Sequence, residues 1–216
     1  MLMSRLLEKL YDWLSSAETV CPSDAIVCLS GRQSRKVFAL ELFEQGLAQT
    51  LLLSVWRFEV RKFSQLLWPA EINLLQVAVS TEPRLRYYFV SFERGRTQVE
   101  RILRGRFGTL SEIRALADWL TKRPEIRSVL VVSSAPHLRR VRACCHALLP
   151  PGLRIHFIAT PNDGALARGS WWRNRSSRDV VLNELPKLLV YRLLLMGNKN
   201  RQAANLMCVS NRQLHS

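Results

Sequence analysis

Two hydrophobic patterns alternate along the chain. Short apolar runs occur at Asp24–Ser30 (DAIVCLS), Thr50–Ser54 (TLLLS), Val129–Val132 (VLVV) and Arg154–Ala159 (RIHFIA). Their length and apolar content predict strands, Asp24–Ser30 and Val129–Val132 of the type buried on both faces. Longer stretches with apolar residues three or four apart lie between them and predict helices. One covers Gln33–Gln45 and stops at Gly46. Another covers Thr109–Lys122, with Ile113, Leu116, Ala117 and Leu120 on one face. A third begins at Pro136, where no N–H is needed, and carries Leu138, Val141, Cys145 and Leu148.

The remaining segments fill out the same plan. Ser4–Ser16 reads as an amphipathic helix with Leu2, Leu6, Leu10, Trp13 and Leu14 on one face. Trp56–Leu67 is expected to be helical, Arg86–Phe92 a strand from its aromatic content, and the basic stretch Arg94–Arg106 a loop near the sheet's carboxyl edge. A last helix over Ser177–Met196 is expected to turn Val181, Leu185, Leu188 and Leu189 toward the core. Strand, helix and strand within one short span is the mark of a right-handed parallel crossover. The expected fold is therefore α/β, a three-layer Rossmann-like arrangement with a mainly parallel central sheet flanked by helices. The expected divisions are an N-terminal amphipathic helix (1–20), the α/β domain (21–196) and a loosely ordered tail (197–216).

Charge changes the picture more than composition does. The 216 residues are 48% hydrophobic and 23% charged, as in ordinary globular proteins. The formal net charge of +15 is not ordinary, and 26 of the 32 basic residues are arginine. Such a field attracts phosphorylated small molecules, nucleic acid or anionic lipid; an arginine-rich composition with no functional cause explains it equally well. No dense basic arm of the nucleic-acid type is present, so nucleic acid is the less favoured partner. Five cysteines without CxxC spacing suit a reducing cytoplasm rather than a disulfide framework. The consecutive Cys144, Cys145 and His146 would splay apart on a helix, so no metal is expected. No apolar run reaches the ~20 residues of a membrane span, and the chain is expected to be soluble, with peripheral membrane contact left open.

Candidate chemistry gathers where strands would end. Ser30-Gly31, Ser54, Ser133-Ser134 and Ala159-Thr160 follow four expected strands, and parallel strands deliver their ends to one rim. Gly31 allows close approach of a ligand to the backbone, and Arg35 lies one helical turn farther on. His137 and Arg140 share a helix face beside free N–H groups, a pair suited to holding an anion, with His137 as a proton carrier. Thr109-x-x-Glu112 fits a capping box; alternatively Glu112 faces His137 as a proton-transfer partner. Trp171-Trp172-Arg173 reads as a hydrophobic plug or, alternatively, a base-stacking surface. There is no GxGxxG or GxxxxGK[ST] fingerprint, so no dinucleotide or P-loop site is indicated and the cofactor is unknown.

In order and spacing these residues resemble the YdcF/SanA/ElyC-like bacterial family. The pattern D-x-I-V-x-L-G-G followed by R-x-x-x-A-x-x-L-x-x-x-G is met by Asp24, Ile26, Val27, Leu29, Gly31, Arg35, Ala39, Leu42 and Gly46. Ser54, Thr109 with Glu112, and Val132-Ser133-Ser134 with His137 and Arg140 resemble its later elements, as do Trp172, Glu184, Lys187 and Tyr191. Ser30 stands where the family has a first glycine, and Val55-Trp56 where it has a glycine pair. The resemblance implies a polar cleft in a three-layer fold and, for several members, a role in cell-envelope or peptidoglycan biogenesis. Together, residues and resemblance lead to a small anionic or phosphorylated ligand bound by Ser30, Gly31, Arg35, Ser54, Thr109, Ser133, Ser134 and Arg140, with His137 and Glu112 as proton handlers; the alternative is a basic binding module for nucleic acid or anionic lipid without catalysis.

Overall fold

The computed structural model describes residues 2–56, 87–93, 96–103, 105–161 and 166–197. The helix expected over Trp56–Leu67 lies outside the described residues except for Trp56 itself, which is in a strand; the tail from residue 198 also lies outside them. Six strands form one sheet: β1 (Ala25–Cys28), β2 (Thr50–Trp56), β3 (Tyr87–Glu93), β4 (Arg96–Arg101), β5 (Ser128–Ser133) and β6 (Arg154–Ala159). Their order is β4-β3-β2-β1-β5-β6. The β2-β1-β5-β6 half is parallel, while β3 pairs antiparallel with both β2 and β4.

Helices cover both faces, which is why every residue of β1 is buried. On one side α2 (Gln33–Glu44) lays Ala39 and Leu42 over Ile26, Cys28, Leu51, Leu53, Leu130 and Val132. On the other, α3 (Gly108–Thr121) and α4 (Leu138–Leu148) bring Ile113, Leu116, Trp119, Leu138 and Val141 onto Val27, Leu52, Phe89, Val129 and Val131. Odd and even strand positions thus feed separate cores, as the pleat requires. The result is a three-layer, Rossmann-like α/β fold.

The strands and crossovers follow the sequence pattern, but four elements differ from expectation. Arg96–Arg101 is an edge strand, not a loop; its charged side chains suit the sheet's open edge, where they discourage pairing with another chain. In α1 (Leu2–Ser15) the packed face is Leu7, Leu10, Tyr11 and Leu14, so Leu2, Leu6 and Trp13 are exposed. The last helix is two: α5 (Arg175–Leu182) stops at Asn183 and α6 runs over 184–197. Pro186 explains the break, because it has no N–H to continue the ladder yet is tolerated in a first turn. In α6 the buried positions are Glu184, Leu188, Tyr191 and Leu195, whereas Leu185 and Leu189 are exposed. Trp171 is buried among Tyr11, Leu14, Leu166 and Val181, a plug between α1 and α5 with no face open to a base.

Candidate functional site

From β1 the chain crosses through α2 to β2, and from β5 through α4 to β6, on opposite sides. Between β1 and β5 the connections therefore diverge, and a crevice opens beyond the strands' carboxyl ends. It measures about 320 Å³. Ser30, Gly31, Arg35, Thr109, Glu112, Ser133, His137 and Arg140 all line it, together with Trp56, Gly108, Lys187 and Tyr191. Ser54 and Ser134 sit immediately behind, each hydrogen-bonded to a lining side chain. All ten residues singled out from the sequence thus converge on one rim.

The geometry on the β1 side is set by Gly31. Its φ of +135° is closed to ordinary side chains, and a Cβ there would lie 2.7 Å from Arg35 Nη1. With that space open, the Arg35 guanidinium lies across the loop. Its Nη1 donates to the Ser30 carbonyl at 2.6 Å and its Nε to Ser134 Oγ at 2.9 Å, which ties the end of β1 to that of β5. Arg35 is buried, so its charge acts in a poorly screened environment.

Glu112 does not cap its helix and does not reach His137. The N-cap of α3 is Phe107, and Thr109 Oγ1 instead accepts from Arg140 Nη1. Glu112 Oε1 accepts the Ser30 N–H at 2.9 Å and the Ser54 hydroxyl at 2.5 Å. This buried carboxylate therefore fixes the loop after β1 and the end of β2 together.

The partner of His137 is Glu184, at the start of α6. His137 closes the 3-10 turn Ala135–His137, which follows β5 and is opened by Ser134 and Pro136. Its Nδ1 lies 2.9 Å from Glu184 Oε1. The carboxylate only accepts, so Nδ1 carries the proton and Nε2 of the neutral ring is the acceptor. Arg140 Nη2, 3.4 Å from the same Nδ1, is a neighbour and not its hydrogen-bond partner. Arg140 instead forks onto Glu184, Nε to Oε2 at 2.8 Å and Nη2 to Oε1 at 3.2 Å, and its guanidinium lies 5.1 Å from the centre of the Tyr191 ring. Three of its five N–H donors are thus engaged by Glu184 and Thr109, which braces the site and fixes the guanidinium at the crevice wall.

Electrostatics follow from this packing. Burial pushes the His137 pKa below its ordinary value, reinforced by the Arg35 and Arg140 charges and opposed by Glu184. Burial would raise the Glu184 carboxyl, but the hydrogen bonds of His137 and Arg140 and the Arg140 charge overcome it and hold Glu184 far below the carboxylate range. His137 is neutral and Glu184 ionised at neutral pH. Arg35, Arg140 and Lys187 against Glu112 and Glu184 leave one net positive charge. Ser133 Oγ, in the cleft wall, is buried without a hydrogen-bond partner.

Trp56 narrows the cleft without closing it. Its ring packs edge-to-face on Tyr87, 5.4 Å between centroids, and rests on Gly108, where a Cβ would come within 2.7 Å of it. Across His137 and Lys187 a wider groove adjoins, bordered by Arg32, Asn174, Arg175 and Asp179. A separate cleft at the opposite edge of the sheet is lined by Pro22–Asp24 and Gly46–Thr50 and has none of these side chains. There Asp24 Oδ2 accepts from the Arg127 and Ser128 N–H groups and the Ser128 hydroxyl, which clamps β1 to β5. Cys144 and Cys145 are buried residues of α4, and burial pushes the Cys144 thiol up to about 12 and the Cys145 thiol well above its ordinary value; neither is a nucleophile at neutral pH.

Glu184, Lys187 and Tyr191 complete the site, although chemistry at strand ends does not point to them. Their signal is a polar row at i, i+3 and i+7 in an otherwise apolar helix. The chain matches no protein-family model, no curated protein and no solved structure.

Proposed function

We propose that this protein binds a small anionic or phosphorylated ligand in the crevice between the ends of β1 and β5. The observation that carries the reading is Ser133 Oγ, a buried hydroxyl without a partner in the wall of a net-positive cleft. A buried hydroxyl left unsatisfied is costly, and a ligand oxygen at that point would satisfy it. The Arg35 guanidinium, lying in the space that a side chain at Gly31 would fill, supplies charge at short range. His137, oriented by Glu184, offers a neutral Nε2 that accepts a hydrogen bond from a ligand hydroxyl or takes its proton. In this reading Arg140, Thr109 and Glu112 position the other groups, while Lys187 borders the mouth, where a second charged group would lie. The residues are those that carry the resemblance to the YdcF/SanA/ElyC-like family, and through it the reading extends to a phosphorylated intermediate of cell-envelope biogenesis.

Isothermal titration with inorganic phosphate and with simple phosphate monoesters tests this. Wild-type protein is expected to bind at least one of them. Ser133→Ala and His137→Ala, each checked for an unchanged melting temperature, are expected to weaken binding by about tenfold, near the value of one or two hydrogen bonds to a charged group. Equal affinity in all three proteins, or none in the wild type, overturns the proposal.

A further inference from the structure

Helix α6 has two faces of different use. Glu184, Leu188, Tyr191 and Leu195 point inward and are buried, two of them reaching the cleft region. The outward face is not polar, as a surface helix requires. Leu185, Leu189, Leu193 and Met196 are 36%, 61%, 60% and 63% exposed, and at steps of four, four and three they form one stripe. Val190 and Leu194, 42% and 37% exposed, widen it. Among the exposed residues of 184–197 only Lys187 and Arg192 are charged, and both are basic. A contiguous apolar patch of this kind on a helix marks an interaction surface.

From this face we infer that α6 docks the protein onto an anionic lipid surface. Charge selects this occupant over a second copy of the chain. Residues 169–197 contain five basic side chains (Arg173, Arg175, Arg178, Lys187 and Arg192) against Asp179 and the buried Glu184, while Arg168 is paired with Glu8 and Asp12 of α1. Residues 198–216 add Lys199, Arg201 and Arg212 and no acidic residue. Two copies meeting on this face would bring these like charges together, each on a chain of net charge +15, whereas an anionic headgroup layer neutralises them. An exposed apolar face flanked by the cations Lys187 and Arg192 suits a helix that lies in the interface plane, apolar side chains in the acyl boundary and cations at the phosphates. The half-exposed Trp13 of α1, with Arg139 stacked 4.0 Å over its ring, is a further aromatic–cation pair at the surface. No helix among the described residues is long and apolar enough to cross a membrane, so the contact is with one leaflet.

The test is co-sedimentation of the full chain with vesicles of phosphatidylcholine containing about one third phosphatidylglycerol, and with pure phosphatidylcholine, over a range of salt. The variant is Leu189→Gln/Leu193→Gln; both residues face solvent, so the fold persists, as circular dichroism and the melting temperature check. Wild type is expected to sediment with the anionic vesicles, more weakly as salt rises, and the variant to bind about tenfold less or worse. No binding to anionic vesicles overturns the inference. So does binding that the two glutamines leave unchanged, since the basic surface alone would then account for it. Light scattering that shows a wild-type dimer and a monomeric variant also overturns it, and assigns the face to a second copy.

Discussion

Glu184 holds His137 and Arg140 at once: one carboxylate oxygen 2.9 Å from His137 Nδ1, the other 2.8 Å from Arg140 Nε. Through this residue α6 is fastened to the turn after β5 and to α4, and the imidazole is held in one tautomer. The carboxylate is fully buried, so its three roles (orienting His137, neutralising Arg140 and docking α6) stand or fall together.

Glu184→Ala is expected to destabilise the protein by about 3–5 kcal/mol, because it leaves the Arg140 charge buried without its partner. Glu184→Gln keeps the volume and part of the hydrogen bonding and is expected to cost less. Urea denaturation of the two variants checks the order. Equal and negligible effects would mean that the contact contributes nothing.

Stability should fall in acid, in two windows. The His137 pKa is lower in the folded protein than its ordinary 6.5, so the unfolded chain binds the extra proton and stability declines as pH drops from about 6.5 toward the folded value. The Glu184 pKa is lower than its ordinary 4.5, so its contribution is intact above that pH and is lost progressively below it. Denaturation midpoints measured from pH 8 to about 3 should therefore decrease throughout the acid range. His137→Gln is expected to remove the upper part of that slope and Glu184→Gln the lower part.

Gly31→Ala places a methyl group where φ is +135° and where Arg35 already lies. The backbone strain is expected to cost about 1–3 kcal/mol. The Arg35 side chain is expected to leave Ser134 and the Ser30 carbonyl, so phosphate affinity should fall by more than the loss of stability alone explains. Gly46→Ala, also at positive φ but with nothing near its added methyl, is the control: it is expected to lower stability and leave affinity unchanged.

Trp56 sets the width of the cleft through its contact with Gly108. Gly108→Ala is expected to displace the indole, visible as a change in near-ultraviolet circular dichroism. Trp56→Ala is expected to admit bulkier phosphate monoesters than the wild type accepts. An unchanged ranking of ligands by size in Trp56→Ala would show that the indole does not limit entry.

The central parallel strands β1, β2 and β5 were legible because they are buried along almost their whole length, and an apolar run such as Val129–Val132 suits that environment. The rim was legible for a related reason. Small and polar residues directly after such runs, Ser30-Gly31 and Ser133-Ser134, have few uses other than turning the chain at a sheet edge. What could not be read was pairing across long sequence separations. Glu112 looks like a helix cap from its neighbours, and only the fold brings it to Ser30 and Ser54. Glu184 stands out locally only through its spacing with Lys187 and Tyr191, and its partners His137 and Arg140 lie more than forty residues away in the chain. Arg96–Arg101 escaped because an exposed edge strand needs no apolar pattern. In α6 apolar residues occupy both faces, so periodicity could not choose the inward one.

Entry of an anion between the ends of β1 and β5 is decided by titrating the ¹⁵N-labelled protein with inorganic phosphate and following amide chemical shifts. Saturable shifts are expected at Leu29–Gly31, Ser133–His137 and the first turn of α3. Shifts that never saturate, or that gather at Ser23–Asp24 and Gly46–Thr50 on the opposite edge, would contradict it.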